Sequence, residues 1–197
     1  MSSKVEIANL ALSELGADRI SSFSDQTVSG KEIASRYELI AEMTQSMGAW
    51  PSVIKRTTLA QLDETPAFGY TYVYQLPTSP LCLKVLEINE ARLGDVPYAI
   101  EADRLLTDET TVSILYLAKL EDSEKYDIYL KQAIINALKA SMAYKFVGQE
   151  KVAASLVAQM NQEIQRLLSH ATSQGSNKRL PSDDYIDARR ISGQGIA

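Results

Sequence analysis

The densest collection of proton-exchanging groups in this chain is the acidic run Glu121, Asp122, Glu124 and Asp127. Two carboxyls a few ångströms apart can divide the acid and base roles of glycoside cleavage, and this run is where such a pair would be sought. Acids before a helix are also what its positive N-terminus attracts. Helical spacing resumes right after Asp122, so helix capping is the reading adopted and cell-wall hydrolysis is kept as the alternative. Other chemistry is sparse. His170 is the only histidine, which excludes a multi-histidine metal site and leaves any Ser-His pair to one residue at a helix end, where a cation is favoured in any case. Cys82 is the only cysteine, which excludes an intrachain disulfide and a multi-cysteine zinc site. It reads as a small apolar strand residue. Phosphate-cradling glycine loops are missing, since "SGQGIA" at the end has neither strand nor helix to frame it. No catalytic residue, metal or cofactor is expected.

A second candidate is "FGYTYVYQLP", with Tyr70, Tyr72 and Tyr74 at alternate positions. Rings at that spacing could stack on nucleic-acid bases or lie on one face of a strand. A net charge of -5 argues against gripping phosphates, because that affinity comes from Lys and Arg displacing counterions. The tyrosines are therefore assigned to packing or interface in the β region, with Tyr72 expected to be a buried ring.

These residues must be positioned by helices at both ends and strands between. Ser3 and Glu6 form a capping pattern, Val5, Ala8, Leu12 and Leu15 recur at helical spacing, and Gly16 ends the helix. Ser29 and Glu32 repeat the capping pattern before Ile33, Tyr37, Ile40, Thr44 and Met47, with Gly48 as the stop. Trp50 before Pro51 runs extended. Six runs then favour strands: "VIKRTTLAQL", "YTYVYQL", "CLKVLEI", "YAIEA", "RLLTD" and "TVSILYLAKL". From Asp122 as N-cap, Tyr126, Leu130, Ala133, Ala137, Ala140, Tyr144 and Val147 share a face; after Gly148, Val152, Leu156, Met160, Ile164, Leu167 and Ala171 share another. Those two helices form an antiparallel hairpin. The fold expected is mainly α, a four-helix bundle interrupted by a small antiparallel β region. Its parts are residues 1–50 and 122–172 as the two halves of the bundle, 51–121 as the β insertion, and 173–197 as an extended C-terminal tail. No apolar run is long enough to span a membrane, and the N-terminus lacks the apolar core of a signal peptide.

The tail is polar and aperiodic, yet it carries Leu180, Tyr185 and Ile186 as apolar anchors and Arg189 and Arg190 as paired cations. Such a segment orders on a partner that supplies the contacts it cannot make alone.

In order and spacing, "ANLALSELGADRISSFSD", "YTYVYQLP" leading into "CLKVLEI", "YAIEADRLLTD" and "ILYLAKLEDSEKYDIYLKQAIINALKASMAYKF" resemble the head-to-tail adaptors of short-tailed bacteriophages, the tail tubular protein A family, over about residues 5 to 170. The resemblance implies a structural, non-enzymatic connector in the virion at the head–tail junction, assembled in the bacterial cytoplasm. It implies a homo-oligomeric ring of about 12 copies between the portal protein and the tail nozzle protein, with double-stranded DNA passing through without specific binding. In that setting Leu180, Tyr185, Ile186, Arg189 and Arg190 are the expected portal-binding residues. An acidic balance suits a channel that must not hold phosphates.

Overall fold

In the computed structural model, which describes residues 3–89 and 96–173, the chain opens with two helices, α1 (Lys4–Glu14) and α2 (Val28–Met47). Seven strands follow: β1 (Ile54–Thr58), β2 (Gln61–Leu62), β3 (Tyr72–Gln75), β4 (Cys82–Ile88), β5 (Tyr98–Glu101), β6 (Arg104–Thr107) and β7 (Ser113–Ala118). A short 3-10 turn, Ser123–Lys125, leads into α3 (Ile128–Phe146) and α4 (Glu150–Thr172).

The strands form two antiparallel sheets, one in the order β1-β7-β4 and the other β2-β3-β6-β5. The first sheet is the middle layer of the molecule. On β7, Leu117 belongs to the same core as Ile7, Leu12, Tyr37, Leu130 and Ile134 of the helices. Ile114, Tyr116 and Ala118, pointing the other way, belong to the core shared with Tyr74 and Leu105 of the second sheet. On β4, Leu83 and Leu86 face the helices while Val85 and Ile88 face the second sheet.

This overturns the expectation of a four-helix bundle with a small β insertion. The physical reason is that β4 and β7 are apolar on both faces, so they bury a helical layer on one side and a second sheet on the other. Nor do the helices surround one axis. α3 is the hub on which α1, α2 and α4 each pack, and it accordingly buries Leu130, Ala133, Ile134, Ile135, Leu138, Met142 and Ala143 rather than a single stripe.

Local signals shift with it. The first strand run divides at Leu59–Ala60: β1 pairs with β7 and β2 with β3, so the chain changes sheets there. α2 begins at Val28 with Thr27 as its cap, the hydroxyl accepting from the Gly30 amide at 3.0 Å, and Ser29 lies buried inside the first turn. Tyr37, Ala41, Thr44 and Gln45 face inward, leaving the predicted stripe residue Met47 outside. α1 keeps its expected cap, Ser3 and Glu6 bonding each other's backbone amides.

Gly30 shows why α2 starts where it does. A β-carbon there would overlap the carbonyl oxygen of Asp25 and lie 2.9 Å from its Cβ. That backbone is itself pinned, because the Asp25 carboxylate accepts from the Ser21 amide at 2.7 Å and from the Ser22 hydroxyl at 3.0 Å. Gly30→Ala should therefore lower stability by about 1–3 kcal/mol despite the better helix propensity of alanine. Thermal unfolding measures this, and a higher melting temperature in the variant would refute the tight approach.

Candidate functional site

Two members of the acidic run, Asp122 and Asp127, act as caps. Asp122 caps the 3-10 turn, accepting from the Glu124 amide at 3.0 Å, and pairs with Lys125 at 3.5 Å. α3 starts five residues later than the sequence suggests, because Tyr126 takes an extended backbone (φ -65, ψ 135) that carries its ring into the core. Asp127 is the true N-cap, accepting from the Leu130 amide at 2.9 Å. Its other oxygen accepts from the Ser52 hydroxyl at 2.6 Å and the Ser52 amide at 3.3 Å. The Asp127 carboxylate thus joins the start of α3 to the chain entering β1. Glu121 and Glu124 are exposed.

Close by, Gln45 reaches from α2 to the chain leaving β7. Its carbonyl oxygen accepts from the Leu120 amide at 2.7 Å, and its amide nitrogen donates to the Leu120 carbonyl and the Tyr126 hydroxyl, both at 3.3 Å. The Tyr126 hydroxyl donates to the same Leu120 carbonyl at 3.0 Å. Burial pushes the Tyr126 phenol up to about 12, helped by the charges of Glu38 and Asp122. Trp50, fully buried, donates its indole N–H to the Thr44 carbonyl at 2.8 Å. Sequence reasoning missed Gln45 and Ser52. A glutamine eight residues after Tyr37, two turns along the inward face of α2, was the available signal for the first; a serine at a helix–strand junction carries none.

An open cleft of about 510 Å³ lies beside the run, lined by Lys55, Ser79, Leu81, Lys119, Glu121 and Asp122 among others. Lys119 is occupied by Glu42 at 2.6 Å, and that hydrogen bond holds its ammonium above the ordinary lysine range. The cleft lining carries the Asp122–Lys125 pair beside Lys55 and Glu121, and among the described residues it holds no histidine or cysteine.

The three tyrosines part company. Tyr74 is buried in the core between the sheets, and its hydroxyl donates to the Glu109 carbonyl at 2.7 Å. Tyr72, on the same face of β3, is only half-buried and packs at the margin of that core. Tyr70 precedes the strand and lines a shallow depression with Phe68, Val73, Arg104 and Leu106. The ring expected at Tyr72 is therefore the one at Tyr74, because Tyr74 sits opposite Leu105 in the middle of the sheet while Tyr72 pairs with Thr107 nearer its end. His170, exposed near the end of α4, stacks on Tyr129 with ring centroids 6.4 Å apart. Cys82 opens β4, and burial raises its thiol pKa, leaving it a packing residue. Leu180, Tyr185, Ile186, Arg189 and Arg190 lie outside the described residues. No helix among the described residues is long and apolar enough to cross a membrane.

Compared with protein-family models and with curated proteins, the chain matches none.

Two buried tyrosines differ in a way that can be measured. The Tyr74 hydroxyl is bonded, whereas the buried Tyr37 hydroxyl has no hydrogen-bond partner among the described residues. Tyr74→Phe should cost about 1 kcal/mol, the net worth of an ordinary hydrogen bond, and Tyr37→Phe should cost nothing or stabilise, since it removes an unsatisfied group. Denaturant unfolding of both variants decides; equal losses would contradict the assignment.

Proposed function

We propose that the protein is a structural connector subunit of a tailed bacteriophage, forming a ring between portal and tail nozzle, with DNA passing through its centre. One observation carries the reading beyond the sequence resemblance. Two of the four acids before α3 are committed to architecture, Asp122 to a turn and Asp127 to the joint between α3 and β1. Chemistry of that kind builds a rigid block rather than a reaction centre. The net charge of -5 supports a wall past which DNA slides, because an acidic surface gives phosphates no counterion-releasing hold. Helices and sheets fastened together through the middle sheet suit a part that transmits load between two larger assemblies.

In this reading the segment 173–197 contributes portal contacts. Tyr185 and Ile186 fill apolar pockets, and the guanidinium forks of Arg189 and Arg190 meet acidic groups or carbonyls. Copies around a ring act together through effective concentration, so weak individual contacts suffice.

The purified protein mixed with its portal and viewed by electron microscopy should form closed rings on the portal face. Glu121→Gln and Glu124→Gln should leave ring formation unchanged, and DNA affinity at about 0.15 M salt should stay weaker than micromolar. Cell-wall cleavage abolished by either substitution, or the absence of any ring, would overturn the proposal.

A further inference from the structure

The last turn of α4 is held between the end of α2 and the start of α3. Leu168 presses Cδ2 into the space a β-carbon on Gly48 would need, and His170 stacks on Tyr129. Ser173, the last described residue, therefore follows a turn packed next to the elements that carry Met47 and Ile128. Those two positions carry large apolar side chains turned outward: Met47 is 51% exposed and Ile128 76%. Met43 at 52% and Leu39 at 64% continue the line. Leu39, Met43 and Met47 are spaced four residues apart and share one face of α2, a stripe about 12 Å long from the helical rise. Single exposed apolar residues need no explanation, but a row of three beginning beside the last described turn is a seat in want of an occupant.

The segment that follows Ser173 in sequence, residues 174–197, can supply one. It carries Leu180, Tyr185, Ile186 and Ile191, and at up to about 3.3 Å per residue even four of its residues span the stripe. Charge agrees with this placement. Glu38 and Glu42 sit beside the stripe on α2, with side chains 67% and 41% exposed while pairing with Lys4 and Lys119, and the segment brings Arg189 and Arg190.

We propose that residues 174–197 fold back onto α2 of their own subunit, seating Tyr185 and Ile186 on Leu39, Met43, Met47 and Ile128 with Arg189 and Arg190 beside Glu38 and Glu42. The free subunit would thereby keep an association-prone helix face covered, and any partner that captures the segment would uncover it. Nothing in this depends on the connector reading.

Methionine oxidation tests the seat on the full-length chain. With dilute hydrogen peroxide and mass spectrometry, Met43 and Met47 should oxidise several-fold faster in the Tyr185→Ser, Ile186→Ser double variant than in the wild type, with the buried Met142 unchanged in both. Equal rates at Met43 and Met47 would overturn the proposal. So would protection that appears only as protein concentration rises, which would place the segment on a second copy. A photoreactive benzophenone replacing Ile186 gives an independent reading. Its crosslinks in the monomer fraction should map to the α2 stripe or Ile128, and crosslinks confined to other regions would refute the seat even if the double variant misfolds.

Discussion

Everything in this fold hangs on a joint where the chain crosses twice between its helical and β layers. The outgoing crossing, residues 48–53, and the returning one, 118–127, run side by side. Gln45 bonds both polar atoms of the Leu120 backbone, Ser52 is tied to Asp127, and the Ala118 amide donates to the Val53 carbonyl at 2.8 Å. Backbone that leaves one layer for another loses its ladder partners, and a buried amide or carbonyl left unpaired costs about 1–3 kcal/mol. At this joint side chains replace the missing ladder. Because Gln45 and Trp50 are buried, water cannot stand in for them.

From that joint the layering follows. With the ends of β1 and β7 fixed against α2 and α3, Leu117 must enter the helical core while Tyr116 and Ala118 turn to the second sheet. The switch of the chain from β1 to β2 then carries the second sheet across the outer face of the first. α4 packs mainly on α3, and it buries only Ala153, Ile164 and Ala171. At its C-terminal end Leu168 packs against Gly48, whose extended backbone (φ -160) any residue could adopt; a β-carbon there would meet only the Leu168 side chain.

Much of this was legible in the residues, though unevenly. Helix starts with a side-chain oxygen and a well-placed acid, such as Ser3 and Glu6, could be read directly, and so could the αL break at Gly148 (φ 70). The positions of Thr27 and Asp127 could not, because Gly30 and Tyr126 override local propensity by what they touch elsewhere in the fold. The layer order was readable in principle: "CLKVLEI" and "SILYLA" are apolar on both faces, which marks strands with neighbours on each side, yet a run of strands between helices invites the simpler picture of an appended sheet. Of the candidate site, the capping role of the acids was visible from the helix dipole, while the link from Asp127 to Ser52 depends on two segments 75 residues apart meeting in space.

A molecule joined in this way should not come apart in pieces. The most direct test of the account is differential scanning calorimetry of the full-length protein, paired with circular dichroism in the far ultraviolet for the helices and near ultraviolet for Trp50 at the joint. The account predicts one transition, superimposable by all probes, with calorimetric and van't Hoff enthalpies equal within error. Two separable transitions, with helical signal surviving after Trp50 has lost its packing, would show that the helices and sheets are independent bodies and that the joint does not hold them together.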